Sequence, residues 1–151
     1  MWETDLRPLG FHVDQLSPTG VISAVEQIAF GSNDELVVIS GAHDDGKKPN
    51  PAMAYVLDTL TGKVVKQVSW MANWRPSVFA TARGGYIINT FEGIALYAPG
   101  LEQILATFDD HADQASPEGR TVTTCGGDPA RAGTRVLAAD TLTATGADVI
   151  N

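Results

Sequence analysis

The sequence is short of the features that would have narrowed its chemistry at once. It has one cysteine, Cys125, in 151 residues, so no disulfide can close within the chain and thiol usage says little about compartment. It has few basic residues: 10 Lys and Arg stand against 18 Asp and Glu, a formal charge of −8 at pH 7. The only adjacent basic pair is Lys47–Lys48, whereas neutralising a row of phosphates takes clustered Lys and Arg. Nucleic acid and anionic membrane surfaces are therefore not expected as partners. No apolar run approaches the ~18 residues of a membrane span. The opening residues Met1-Trp2-Glu3-Thr4-Asp5 are polar and acidic, unlike a secretory signal. The compartment stays open between the cytoplasm and, if the chain is truncated at its N-terminus, the periplasm.

Motifs of catalysis are also lacking. There is no phosphate loop, dinucleotide fingerprint, zinc-peptidase helix or nucleophile elbow, and no cofactor is expected. Ser40, His43 and Asp44 supply the residue types of a triad, but a triad is made by geometry in space, not by adjacency in sequence. Cys125 reads as a small core residue on a strand. His12, between Phe11 and Val13, reads as packed.

What is present is hydrophobic content of 44% with 19% charged residues, the balance of a globular chain, and an internal echo. Asp58-Thr59-Leu60-Thr61 recurs as Asp140-Thr141-Leu142-Thr143, an offset of 82, or twice 41. Between them stands Leu96-Tyr97-Ala98-Pro99-Gly100-Leu101, another turn between apolar runs. Three hairpins follow: Tyr55–Leu57 to Val64–Val65, Ile94–Tyr97 to Ile104–Leu105, and Arg135–Leu137 to Val149–Ile150. A second hairpin precedes each, turning at Gly31–Asp34, Ala82–Gly85 and Ser116–Gly119, where Asn, Asp and Gly tolerate the positive φ a tight turn needs. Leu101, Ile104, Leu105 and Phe108 also fit helical spacing; the register of the echo decides for a strand there.

The expected fold class is all-β: antiparallel four-stranded blades of a β-propeller, about three of them in an incomplete ring. One four-stranded sheet cannot bury both its faces alone, and radial stacking covers each with a neighbour. The expected division is a strand from a preceding blade (Trp2 to Leu6) plus a connection over 1–24, then blades over 25–74, 75–113 and 114–151.

Val56-Leu57-Asp58-Thr59-Leu60-Thr61-Gly62-Lys63 is similar to the Asp-x-x-Thr-Gly-Lys hairpin of bacterial WD40-like, YVTN and quinoprotein-like propellers. Ser116-Pro117-Glu118-Gly119-Arg120 resembles their turn between the first two strands of a blade. The chain departs from the group in having no Trp-Asp or Gly-His pair and no tryptophan motif lining a quinone. The resemblance implies a closed ring of four to eight blades. The chain is accordingly expected to be a fragment of a larger propeller or to self-associate through open blade edges.

In such a blade the long loops collect at one end, between the second and third strands and between successive blades, and long loops on a rigid scaffold are where function concentrates. On this rim stand His43, Asp44 and Asp45, then Trp70, Trp74 and Arg75, the recognition candidates, since exposed Trp and Arg are common at hot spots. Trp70 also reads as packing between the first two blades. Asp109, Asp110, His111 and Asp113 are the candidate metal ligands, without the spacing of a calcium or zinc loop. The expected function is a non-enzymatic scaffold binding a protein or small ligand on that rim. The alternative is part of a propeller hydrolase or lyase whose other blades complete the site.

Overall fold

The computed structural model describes residues 1–9, 24–41, 50–72, 76–125 and 134–146. They form three antiparallel four-stranded sheets, each with its strands in chain order. Sheet one holds β1 (Ala24–Phe30), β2 (Glu35–Gly41), β3 (Asn50–Asp58) and β4 (Val64–Ala72). Sheet two holds β5 (Val78–Ala80), β6 (Tyr86–Asn89), β7 (Ile94–Tyr97) and β8 (Ile104–Phe108). Sheet three holds β9 (His111–Ala115), β10 (Thr121–Cys125), β11 (Thr134–Ala138) and β12 (Thr143–Ala144). The all-β expectation holds. No helix among the described residues is long and apolar enough to cross a membrane.

Sheet two lies between the other two, and its composition follows from that position. β6 and β7 are buried at every residue. Tyr86, Ile88, Ala95 and Tyr97 pack with Val37, Ile39, Ala54 and Val56 of sheet one. Ile87, Ile94 and Leu96 pack with Ala112, Val122 and Leu137 of sheet three. A strand covered on both faces reads as a continuous apolar run rather than an alternating one, and each fully buried Ile or Leu contributes about 1.5–3 kcal/mol. The outer strand β4 alternates instead: Lys66, Val68 and Trp70 are half-buried while Val65, Gln67, Ser69 and Met71 are exposed.

Polar groups stitch the sheets together. The Val78 N–H donates to Gln27 Oε1 at 2.9 Å. Glu35 Oε2 accepts from the Tyr86 hydroxyl and from the Gly100 N–H, each at 3.0 Å. The Asn89 amide meets the Ala112 peptide twice, Ala112 N–H to Oδ1 at 2.8 Å and Nδ2 to Ala112 O at 2.9 Å. Ala112 lies on β9, whose one sheet partner among the described residues is β10, so a side chain supplies the bonds that a further strand would have made.

Several local expectations are corrected. Residues 2–6 form no strand; Arg7–Leu9 is a 3-10 turn. The N-terminal segment instead lies across the β3–β4 turn, with Trp2 Nε1 donating to Thr59 O at 2.7 Å and Thr4 Oγ1 to Gly62 O. Leu6 and Leu9 then cover Val38, Tyr55 and Leu57 on the outer face of sheet one. Side-chain anchoring on a turn wins here over edge pairing. The residues Ile104–Phe108 are a strand, preceded by a 3-10 turn at Pro99–Leu101.

The echo at offset 82 is not a structural equivalence. The outer hairpins close with Asp58 N–H to Lys63 O and Ala98 N–H to Gln103 O, both 2.9 Å, and with Ala138 paired to Thr143. These pairs begin at 58, 98 and 138, 40 residues apart, so the second Asp-Thr-Leu-Thr is displaced by two. The two copies are used differently. Asp58 Oδ1 caps its own turn, accepting from Leu60 N at 2.9 Å and Thr61 N at 2.8 Å, bonds that hold its carboxyl below the ordinary carboxylate range. Asp140 Oδ1 accepts from the Arg83 N–H of sheet two at 3.3 Å. The pairing of Arg135–Leu137 with Val149–Ile150 falls outside the described residues; β11 pairs with Thr143–Ala144.

Candidate functional site: a cleft between the first two sheets

Toward the outer strands the first two sheets part. The residues of sheet two that face sheet one are Ala95 and Tyr97 on β7 and, by register, Thr107 and Ile104 on β8. Ala95 and Thr107 are too small to fill the space opposite β4. A cleft of about 750 Å³ results, walled by Trp70 and Met71, by Thr90–Gly93, by Ala95, Tyr97, Ile104 and Thr107, and by Asp109. That volume is within the roughly 300–1,000 Å³ of small-molecule sites.

Its walls are held in place. Trp70 is half-buried and its Nε1 donates to Asn89 O at 3.0 Å, so the indole is pinned with its ring against the cleft. Asn89 in turn grips Ala112, which links this wall to sheet three. The connection between β6 and β7 turns through Thr90 N–H to Gly93 O at 2.7 Å and is tied to sheet one by Phe91 N–H to Met71 O at 2.8 Å. Gly93 has φ of +150°, and a Cβ there would stand 2.2 Å from Phe108 O; only glycine fits so close an approach. This turn presents Phe91 and Glu92. Burial pushes the Tyr97 hydroxyl above its ordinary value, which keeps that wall neutral.

The sequence-predicted residues are dispersed. Trp70 lines the cleft and also packs between the two sheets. His43, Asp44, Asp45, Trp74 and Arg75 lie outside the described residues. Asp109 stands in the cleft wall, but its three companions point elsewhere. Asp110 is buried and accepts from Thr124 Oγ1 at 3.1 Å. His111 Nε2 is bonded to Thr90 O at 3.1 Å. Asp113 is exposed on β9. The reading of 109–113 as one loop is corrected, since β9 begins at His111. Among the described residues no three His, Cys, Asp or Glu side chains come together as metal ligands. Cys125 is exposed rather than in the core, and partial cover together with the Asp113 and Asp110 charges pushes its thiol up.

Phe91, Glu92, Tyr97 and Thr107 were missed as site residues. The available signal was Thr90-Phe91-Glu92-Gly93 itself, an aromatic and a carboxylate in a short turn between two buried runs, at the same end of the sheets as Trp70. Comparison with protein-family models, curated proteins and solved structures finds no match to this chain.

Proposed function

We propose that the three sheets are blades of a β-propeller scaffold and that the chain is a non-enzymatic binding module, with its ligand in the cleft between the first two blades. The propeller reading draws on three strand-ordered sheets packed face to face, β1 against β5 and β6 against β9, with outer hairpins that close every 40 residues. The observation that carries the binding reading is the 750 Å³ aromatic cleft, with Trp70 pinned by its indole nitrogen. Its wall includes Thr90–Gly93 and Asp109, the connections between β6 and β7 and between β8 and β9. It therefore reaches the end of the sheets that the loop argument singled out. A rigid, apolar recess with few polar groups is the usual form of a small-molecule site.

The test is a thermal-shift screen of small molecules of mixed charge and shape against the wild type and Thr107→Trp. Thr107 is exposed on an outer strand, where Trp is well tolerated, and an indole there fills the cleft. A ligand present at a hundredfold excess over its Kd stabilises by about 2.7 kcal/mol. Ligands that raise the wild-type Tm and leave the variant unmoved support the reading. A screen in which every hit shifts both proteins equally sinks it.

A further inference from the structure

The outer face of sheet one carries the chain's own N-terminal segment, and the contacts between them have the form of a peptide on a receptor. We infer that this face is a peptide-docking site, taking a partner segment of the pattern Trp-x-Thr-x-Leu-x-x-Leu for which Trp2, Thr4, Leu6 and Leu9 stand in. The segment adds no strand to the sheet; side chains and main-chain oxygens hold it. Trp2 Nε1 donates to Thr59 O at 2.7 Å and Thr4 Oγ1 to Gly62 O. Gln67 Nε2 donates to Leu9 O at 3.0 Å, and the hydroxyl of Tyr55, its partner across β3 and β4, stands 3.3 Å from the same oxygen. Leu6 and Leu9 rest on Val38, Tyr55 and Leu57. An aromatic anchor, two apolar anchors and bonds to main-chain groups are what recognition of a peptide segment uses.

Gly62 shapes the receptor side for the indole. A Cβ there would stand 2.5 Å from two ring atoms of Trp2, so the missing side chain is the space in which the ring lies. The turn does not itself demand a glycine. In sheet three the outer hairpin has Leu142 at the corresponding position, with the same bond from its N–H to the carbonyl four residues back, 2.8 Å in both. Leu142 adopts φ of +55° there, against +71° at Gly62. In sheet two the position is Glu102, so of the three outer hairpins only the first leaves room for an indole. The same register identifies what the segment replaces. Leu57, Tyr97 and Leu137 correspond; Tyr97 packs against sheet one and Leu137 against sheet two, while Leu57 meets Leu6 and Leu9. A short piece of chain thus fills the place that a whole sheet fills elsewhere. Its hold is intramolecular, so a partner segment competes with an effective concentration on the order of millimolar.

The experiment titrates a synthetic peptide of residues 1–9, capped at both ends, into the isotope-labelled full chain and follows it by NMR. Trp2→Ala removes the anchor of the internal competitor. The peptide should bind that chain at least about tenfold tighter than the wild type, the order of a lost Trp anchor, with shifts at Thr59–Gly62 and Tyr55. Should Trp2→Ala unfold, Thr4→Ala, which loses the bond to Gly62 O, serves the same comparison. Added to the Trp2→Ala chain, Gln67→Ala, at an exposed residue, should weaken the peptide severalfold, and a peptide with Ala in place of its Trp should not bind. Thr107→Trp, in the cleft, should change nothing. Failure of the peptide to bind the folded Trp2→Ala chain, or equal binding to both chains, overturns the docking site. Shifts at the cleft that Thr107→Trp removes overturn it too. A wild-type protein that light scattering finds to be a dimer, driven to monomer by the peptide, overturns the partner reading and makes a second copy the donor.

Discussion

Replacing Asn89 by Leu should uncouple sheet two from sheet three without disturbing either hairpin. Asn89 is buried, and its amide oxygen and nitrogen pair with the N–H and C=O of Ala112 at 2.8 and 2.9 Å. Leu keeps the branched skeleton of Asn but is bulkier, so the change opens no cavity; it also removes the bond from Asn89 Nδ2 to Ser77 Oγ, within sheet two. It leaves two buried backbone groups of Ala112 unpaired, and each such group costs about 1–3 kcal/mol. The combined penalty is roughly 2–6 kcal/mol, which for a chain of this length lowers Tm by at least about 4 °C. The bond from Trp70 Nε1 goes to the backbone oxygen of Asn89, so it survives the substitution. Urea unfolding followed by circular dichroism gives the global loss, and hydrogen exchange gives its location. The Ala112 amide should lose protection well beyond the other amides of β9 and β10. A loss below about 0.5 kcal/mol, or an Ala112 amide protected as in the wild type, would refute the claim that this side chain replaces a strand.

Two further outcomes follow from single contacts. Gly119 has φ of +67°, and a Cβ there would stand 2.7 Å from Ala80 O and 2.9 Å from Ala82 N, across the junction of sheets two and three; Gly146, at φ of +79°, has nothing within 4 Å. Both Gly→Ala changes carry the left-handed penalty of about 1–2 kcal/mol, so urea melts should find Gly119→Ala clearly the worse; equal losses would mean the junction yields freely. All three tyrosines of the chain, Tyr55, Tyr86 and Tyr97, have hydroxyls pushed up, mainly by burial and at Tyr86 also by Glu35. The folded protein keeps these protons where the unfolded chain releases them, so their stabilisation is complete below about pH 10 and drains away as pH rises above it. Absorbance at 295 nm should therefore report phenolate only as the circular dichroism of the fold is lost. A reversible titration centred near pH 10 in the folded protein would contradict the burial.

Much of the secondary structure was legible in the residues. Tyr86-Ile87-Ile88 and Ile94-Ala95-Leu96-Tyr97 are apolar at successive positions, bounded by Gly84-Gly85 and Pro99-Gly100. Chemistry that local dictates strands and turns wherever they are placed. β9 was not legible, because His111-Ala112-Asp113-Gln114-Ala115 has little apolar content. It is a strand because β10 pairs with it and Asn89 receives its outer edge, both non-local facts. The twin Asp-Thr-Leu-Thr segments make the same point in reverse. Identical residues cap a turn at Asp58 and reach another sheet at Asp140, because the pairing register around them differs by two.

The sequence by itself determined the all-β class, the hairpins, the acidic charge and the aromatic stock. Each depends on what a residue prefers for its own backbone and for contact with water. Only the tertiary structure decided which of those residues share a space. Trp70, Phe91, Tyr97 and Thr107 meet because two sheets pack closely at their inner strands and part where Ala95 and Thr107 leave the gap unfilled. A cleft is the difference between two facing surfaces, and no one-dimensional pattern encodes which surfaces face each other.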